Sequence, residues 1–414
     1  ATAQVSIKGP ISVKGPIAVT TGAGAPYSPP MGWSQIANTN FNTVVALESS
    51  FPGVDGNWSG SNSKFLTDDW CGGWITPQRL YIQWCGGHTT AYRNEFYALD
   101  LNRAVPKIAR LNDPTAKPLE VTARGCLTAP MTLPPDPAPV TQTQGGSETC
   151  GECSLGTACR PNSVHSYQAS YFDWVTNKFY FFDGAYAGTA SGFGSHFAWW
   201  ELDMSNMSVD QSPITSAATL WTRYFPTLPT ARKRSYAQDH RTGKVWAIAG
   251  VDLYEVDPVA RTFTARRTSA LTTADTSTSA VVYSPASGDH YLYKIGNTFY
   301  QKWNLSDGVY ATVDLSSKAG CTALIAGTQV SLTYNTVRDT LIAWNEANTT
   351  VYEIDPAAGV NQDECVALTT SGTGPTLNSN LVSNGTFQRF IYVEGGDYIV
   401  FHHVGGENVY TLKC

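Results

Sequence analysis

The chain lacks the features that bring proteins to membranes or nucleic acid. No run of about 18 apolar residues occurs in its 414 residues, so no segment is predicted to insert into a membrane. The net charge at pH 7 is −6, from 27 Lys and Arg against 33 Asp and Glu. Phosphate backbones and anionic lipids attract basic surfaces, so both are disfavoured as partners.

Helical periodicity is nearly absent, and the short motifs of common catalytic sites are missing. The sequence contains no Gly-x-Ser-x-Gly elbow, phosphate loop or His-Glu-x-x-His motif. Adjacent carboxylates such as Asp68 and Asp69 cannot be distinguished by sequence from acidic residues in a solvated turn. The sequence therefore gives no positive support for a glycosidase. The sequence therefore favours a protein without catalysis, and no cofactor or metal is predicted.

Aromatic residues are abundant, with 12 Trp and 21 Tyr, while charged residues make up 14%. Wide sheets packed face to face need large side chains between them. We expect most of the Trp and Tyr to lie in a core.

A strand pattern returns six times along the chain at intervals typical of propeller blades. Each copy has an apolar run rich in aromatic and β-branched residues, followed by an alternating strand. The apolar runs begin at Arg79, Lys178, Lys244, His290, Thr340 and Tyr398. A further strand precedes five of them, at Ser166–Tyr171, Arg234–Gln238, Thr278–Tyr283, Gln329–Tyr334 and Phe387–Tyr392. Three strands and a more variable fourth make one blade.

The stretch from Trp84-Cys-Gly-Gly-His88 to Leu101, with its Tyr97-Ala-Leu-Asp100 ending, resembles a kelch-type repeat. Similar repeats occur in secreted and phage-associated bacterial proteins of mostly unassigned role. The resemblance covers roughly residues 31–414 and implies an all-β fold, a six-bladed β-propeller, or a seven-bladed one if residues 103–160 contain a degenerate blade. It implies no function, because propellers carry many unrelated activities.

We divide the chain into an N-terminal extended arm, residues 1–30, and a propeller, residues 31–414. The last copy ends at Cys414 without a fourth strand, whereas residues 32–37 resemble an outer strand. We expect residues 31–41 to complete the last blade, since an unclosed ring leaves a sheet edge unpaired. Residues 103–160 are expected to form an insertion rich in disulfides.

The nine cysteines favour an oxidising compartment. Two pairs bracket single hairpins or blades and are expected to form disulfides, namely Cys71 with Cys85 and Cys321 with Cys365. The insertion holds four more: Cys126, Cys150, Cys153 and Cys159. These four fit either two disulfides or a four-thiolate zinc site, and an oxidising compartment favours disulfides. The ninth, Cys414, is the candidate for a free thiol or a bond to another chain.

Other features fit an exported protein. Five Asn-x-Ser/Thr sequons are present, and the chain begins Ala-Thr-Ala-Gln without an initiator Met, which suggests removal of a signal peptide. The predicted location is extracellular.

The arm carries a six-residue repeat of its own over residues 5–22. In each unit apolar β-branched residues alternate with small or polar ones, which is a strand period with one apolar face. The apolar positions are Val5, Ile7, Ile11, Val13, Ile17 and Val19. A segment this short does not fold alone, so it is expected to lie along its own ring or to add as a strand to a neighbour. Head-to-tail addition that does not close generates a filament.

Our first hypothesis is a secreted, non-catalytic structural subunit whose partner is a second copy of itself, in an extracellular oligomer or filament. The second is a carbohydrate-binding or adhesive module that uses exposed Trp and Tyr to hold glycans. The third is an enzyme, either a kelch-type copper oxidase or a polysaccharide-active protein. The polar residues near blade ends are interpreted chiefly as ties between blades: Asp68, Asp69, His88, Arg93, Glu95, His165, Arg232, His240, His402 and His403.

Overall fold

The computed structural model describes residues 25–45, 72–84, 95–113, 164–165, 168, 170–182, 185–186, 199–205, 207–210, 221–224, 234–249, 252–268, 279–286, 288–296, 299–326, 330–356, 365–378 and 386–414. Within these residues the regular structure is almost entirely β-strand, as the sequence predicts. The helical elements described are the α-helix α1 (Thr322–Ile325) and the 3-10 turns Phe41–Thr43, Ala319–Cys321 and Phe387–Arg389. None of the described helices is long and apolar enough to cross a membrane.

The described strands, in chain order, are β1 (Gly32–Gln35), β2 (Gly73–Ile75), β3 (Leu80–Trp84), β4 (Phe96–Asp100), β5 (Lys107–Arg110), β6 (Val164–His165), β7 (Ser170–Asp173), β8 (Lys178–Phe182), β9 (Ala185–Tyr186), β10 (Trp199–Asp203), β11 (Trp221–Tyr224), β12 (Arg234–Gln238), β13 (Val245–Ala249), β14 (Asp252–Asp257), β15 (Thr262–Thr268), β16 (Ser279–Tyr283), β17 (Tyr291–Gly296), β18 (Phe299–Asn304), β19 (Thr312–Asp314), β20 (Ser331–Asn335), β21 (Thr340–Asn345), β22 (Thr350–Ile354), β23 (Cys365–Ala367), β24 (Phe390–Val393), β25 (Tyr398–Phe401) and β26 (Tyr410–Lys413).

In the described part of the chain these strands form six four-stranded sheets and one two-stranded sheet, β6 with β9. The six larger sheets are the blades of a propeller. Numbered along the chain, they are blade 1 (β2 to β5), blade 2 (β7, β8, β10 and β11), blade 3 (β12 to β15), blade 4 (β16 to β19), blade 5 (β20 to β23) and blade 6 (β24 to β26 with β1). The predicted six-bladed β-propeller is confirmed.

The ring is closed by a strand from near the start of the chain. β1 pairs antiparallel with β26, with Trp33 opposite Leu412, and so becomes the outer strand of blade 6. The inner strands β2, β7, β12, β16, β20 and β24 contact one another in this order, and β24 contacts β2. Two distant parts of the sequence therefore meet in one blade, and their pairing holds the ring shut.

Aromatic side chains fill the interfaces between blades. The rings of Phe96 in blade 1 and Phe179 in blade 2 lie 4.8 Å apart, and Tyr171 in blade 2 stacks on Tyr236 in blade 3 at 5.7 Å. No Trp or Tyr whose burial is described is exposed. Burial of these rings drives one blade onto the next, as the composition predicts.

Three element boundaries differ from the sequence-based expectations. Residues 103–160 are not wholly an insertion, because β5 lies within them and buries Ile108 and Ala109 in blade 1. The inner strand of blade 2 is described as β7 and extends to Asp173, two residues beyond the predicted end at Tyr171. In blade 6, Phe387 has a φ of +39°, which a strand does not accommodate, so the 3-10 turn precedes β24.

Candidate functional site

The central channel contains a cavity of ≈340 Å³ with walls from all six blades. It opens on the face where each inner strand turns into the second strand of its blade. Trp174, His240 and Glu394 lie in these turns, just after β7, β12 and β24, and surround the opening. We call this cavity the channel pocket.

Two glutamine side chains close the other end of the channel. Gln388 of blade 6 donates from Nε2 to the Tyr236 carbonyl of blade 3, at 3.3 Å. Gln168, which precedes blade 2, donates to the same carbonyl at 2.9 Å. It also donates to the Ala280 carbonyl at 2.7 Å and accepts from the Ala280 N–H at 2.8 Å. Because blades 3 and 6 are opposite in a ring of six, Gln388 reaches across the axis, and the channel pocket has a blind end.

The pocket walls combine aromatic rings with polar atoms. Trp74, Trp174, Tyr334 and Tyr392 contribute to the lining. The Tyr334 hydroxyl donates to Asp339, and the Tyr392 hydroxyl donates to Asp397 at 3.2 Å. These carboxylates are therefore engaged in the turns, and both tyrosines remain part of the pocket lining.

Two polar atoms of pocket residues, unlike these hydroxyl groups, have no hydrogen-bond partner among the described residues. The Oε1 atom of Gln388 and the Nδ1 atom of His240 are buried and have no hydrogen-bond partner in the described part of the chain. Burial lowers the pKa of His240, so its imidazole is neutral at pH 7. A buried unpaired polar group costs about 1–3 kcal/mol, so a molecule that pairs with these atoms gains from doing so.

A Ser, a His and an Asp meet between blades 3 and 4, but not in the arrangement of a hydrolase. Ser284 Oγ lies 3.2 Å from His290 Nδ1, and Asp239 Oδ2 lies 3.1 Å from the same nitrogen. A nucleophile relay needs the hydroxyl and the carboxylate on opposite ring nitrogens. Burial would raise the pKa of Asp239, but hydrogen bonds from Thr242, the Arg241 N–H and Ser284 outweigh it and hold the pKa below its usual value. The cluster therefore fixes a turn.

His402 lies buried between blades 6 and 1. Its Nδ1 atom is 2.5 Å from Gln83 Oε1, and its ring stacks on Phe41 with centroids 4.3 Å apart. Burial, with the nearby Arg389 charge, holds the pKa of His402 well below its usual value. His402 is thus uncharged and links blade 6 to blade 1 through its contact with Gln83.

His403 faces a different environment, between blades 6 and 5. Its Nε2 atom lies 3.3 Å from Glu346 Oε1, and its Nδ1 atom lies 3.4 Å from Glu407 Oε2. Burial alone would lower the pKa of His403, but these two hydrogen bonds outweigh it and raise the pKa. The described residues contain no group of three or more His, Cys, Asp or Glu that could hold a metal ion. The adjacent histidines therefore serve separate contacts.

The raised pKa of His403 makes stability depend on pH. A histidine with a raised pKa in the folded state stabilises fully below its unfolded pKa of about 6.5, and this contribution is lost as pH rises through the folded value. We expect the free energy of unfolding of His403→Gln to decline less above pH 6.5 than that of the wild type, measured by urea titration from pH 6 to 9. Glu407→Gln, which removes one partner, should give an intermediate slope. Equal slopes in all three proteins would contradict the assignment.

The outer edge of blade 3 is the most open strand edge described. β15 has seven residues, more than the three or four of each other described outer strand, β1, β5, β11, β19 and β23. All of its side chains are exposed or half-exposed. By contrast, the edge of β1 is covered, because the Trp33 N–H donates to the Ser371 carbonyl at 2.7 Å.

Some of the functional and cysteine residues predicted from the sequence lie within the described part of the structure, and others lie outside it. The structure contains the disulfide Cys321–Cys365, with Cα atoms 4.9 Å apart, and Cys414 has an exposed free thiol. Glu95 is buried and accepts from the Tyr97 hydroxyl at 3.2 Å. Outside the described residues lie the arm positions Val5, Ile7, Ile11, Val13, Ile17 and Val19, the cysteines Cys71, Cys85, Cys126, Cys150, Cys153 and Cys159, the polar residues Asp68, Asp69, His88, Arg93 and Arg232, and the side chain of His165.

The pocket residues Gln388 and Trp174, and Gln168 next to the pocket, were not predicted from the sequence. Each makes its contacts with other blades, and no local spacing marks such a residue. The only signal is position, since each lies within two residues of an inner strand.

No family model matches this chain, and no curated protein matches it. Among solved structures, it is similar to YjhT, with 9% identity, a TM-score of 0.47 and coverage of 84% of this chain and 94% of that one. It is also similar to a catalytically inactive virginiamycin B lyase from Staphylococcus aureus with quinupristin, with 10% identity, a TM-score of 0.38 and coverage of 86% and 98%. A chain of a nidogen/laminin complex matches with 9% identity, a TM-score of 0.35 and coverage of 60% and 78%. Likenesses this distant carry no argument about function, and the fold assignment rests on the sheet topology.

Proposed function

We propose that this protein is a non-catalytic structural subunit that assembles by adding its N-terminal arm as a strand to the sheet edge of a neighbouring copy. The observation that carries the proposal is the edge of β15, which is seven residues long and is the unpaired outer edge of its sheet within the described part of the chain. A sheet edge offers backbone N–H and C=O groups that an added strand pairs with.

The arm suits such an edge in length and pattern. Its first two units of six residues end at Gly9-Pro10 and Gly15-Pro16, so each is short enough to lie along the seven residues of β15. Proline stops a strand after a few residues, so one unit pairs with one edge. Because the arm of one copy and the edge of the next are different surfaces, the contact is heterologous and extends into an oligomer or filament.

The assembly is proposed to be extracellular. The Cys321–Cys365 disulfide supports this location, since such bonds persist in oxidising compartments. The kelch-type character of the blades, drawn from the Gly86-Gly87 repeat and its Tyr97-Ala-Leu-Asp100 ending, belongs to the same proposal.

The test compares the full chain with a chain that begins at residue 25. We expect the full chain to form oligomers or filaments in electron microscopy and light scattering, and the shortened chain to give single rings. A synthetic peptide of residues 1–24 should then bind the shortened ring one to one. Monodisperse rings from the full chain, together with no peptide binding, would rule out the proposal.

Two controls separate strand addition from non-specific adhesion. A peptide with Val5, Ile7, Ile11, Val13, Ile17 and Val19 replaced by Ser keeps the length and charge but loses the apolar face, and it should not bind. In the ring, Thr264→Pro in β15 should weaken peptide binding, because proline removes a donor and is tolerated on edge strands. Thr312→Pro in the shorter β19 is the matched variant and should bind the peptide normally.

A further inference from the structure

We propose that the channel pocket is a binding site for one neutral sugar residue, such as the terminal residue of a glycan. This site is separate from the proposed assembly through the arm and goes beyond it. The charges, the aromatic walls and the polar residues of the pocket all favour such a ligand.

The charges of the pocket exclude ionic ligands. No Lys or Arg is among the described residues that line it, so phosphates and carboxylates find no counter-charge there. Among the described lining residues Glu394 is the single carboxylate, and it is exposed in a turn at the opening. A cation deep in the pocket would therefore be desolvated without a partner, which is costly.

The walls offer what a sugar ring requires. Sugars present apolar C–H faces together with hydroxyl groups, and they need ring surfaces as well as hydrogen-bonding atoms. Trp174 is half-exposed at the opening, where a ring face can be reached, while Trp74, Tyr334 and Tyr392 form the buried part. Aromatic residues with one apolar surface and few polar neighbours are typical of small-molecule pockets.

The two unpaired polar atoms belong to residues that line the pocket. Gln388 is 5% exposed, and its Nε2 bond to Tyr236 fixes the amide so that Oε1 remains as an acceptor. The neutral His240 ring either donates or accepts at Nδ1. Neither atom has accessible surface in the unliganded pocket, so a sugar hydroxyl reaches it after a small side-chain movement, and pairing then removes the penalty of leaving it buried and unpaired.

The size and shape of the pocket suit a single sugar residue. The volume of ≈340 Å³ is at the lower end of the range for small-molecule sites, about 300–1,000 Å³. Since Gln168 and Gln388 close the far end, a chain cannot thread through the ring. The ligand must enter from the turn face and end in the pocket.

The experiment uses the chain that begins at residue 25, so its outcome does not depend on arm assembly. Glucose, galactose, mannose and N-acetylglucosamine are titrated and followed by Trp fluorescence and saturation-transfer NMR. We expect at least one to bind and to protect resonances of the pocket. Choline, glucuronate and adenosine test cationic, anionic and nucleoside ligands.

Three variants locate the site. Trp174→Ala at the opening and Gln388→Leu at the blind end should each weaken sugar binding about tenfold or more. Val175→Ala changes an exposed neighbour in the same turn, 61% exposed, and should leave affinity unchanged. If Gln388→Leu does not fold, Trp174→Ala still decides, because Trp174 is half-exposed and only its inner side packs against the core of blades 1 to 3. Binding of none of the neutral sugars, preference for choline, glucuronate or adenosine, or equal affinity in Trp174→Ala would overturn the proposal.

Discussion

Replacing Trp33 with alanine is expected to lower the free energy of unfolding by about 3–5 kcal/mol, the range for truncating a large buried aromatic residue. Trp33 is 6% exposed. Its ring lies 5.6 Å from that of Trp344 in blade 5 and 6.2 Å from that of Tyr410 in blade 6. The substitution thus leaves a cavity where β1, from near the start of the chain, packs against blades 5 and 6. Urea unfolding measures the loss, and Met31→Ala, two residues away and 63% exposed, is the control with little expected change.

Shortened chains separate closure of the ring from the arm. A chain that begins at residue 25 keeps β1, and we expect its stability to match that of the full chain. A chain that begins at residue 37 lacks β1 and exposes the edge of β26, so it should aggregate or unfold at lower urea. Equal stability of the two chains, with no effect of Trp33→Ala, would show that the ring does not depend on this pairing.

The covered edge of β1 adds a second support for the closure. Gly372 has a φ of +79°, and a Cβ there would lie 2.2 Å from the Trp33 carbonyl oxygen. Only glycine allows the backbone to approach β1 this closely. The segment around Gly372 therefore protects an edge that would otherwise be open, which leaves β15 as the long open edge of the described strands.

The blades could be predicted from sequence because each carries its own local signal. The apolar runs at Lys244 and Thr340 fall within one residue of β13 and β21, since strand periodicity and β-branched residues are properties of neighbours in the chain. Ring closure could also be predicted, because the last copy lacked an outer strand and one was present near Trp33. The failures occurred at Phe387 and at β7, where tertiary packing and a positive φ decide the backbone.

The channel pocket could not be predicted in the same way. Its blind end depends on the Tyr236 carbonyl, which accepts hydrogen bonds from Gln168 and Gln388. These two residues lie 68 and 152 positions away from Tyr236 in the sequence. Neither glutamine stands in a recognisable motif, because the geometry that unites them is the closure of six blades. The histidine pair shows the reverse case, since His402 and His403 are adjacent in sequence but lie against different blades with opposite pKa shifts. Proximity along the chain therefore does not imply a shared site.

Removing the Cys321–Cys365 disulfide is expected to lower the free energy of unfolding by about 4 kcal/mol, from the chain entropy of a loop of this length. The two cysteines are 44 positions apart. They connect the 3-10 turn before blade 5 to its outer strand, and both are buried in the core of that blade. The double variant Cys321→Ala/Cys365→Ala, compared with the wild type with and without a reductant, measures the effect by urea unfolding. Cys414→Ala removes an exposed free thiol and should change nothing. A reductant that leaves the wild type unchanged would contradict this role for the bond.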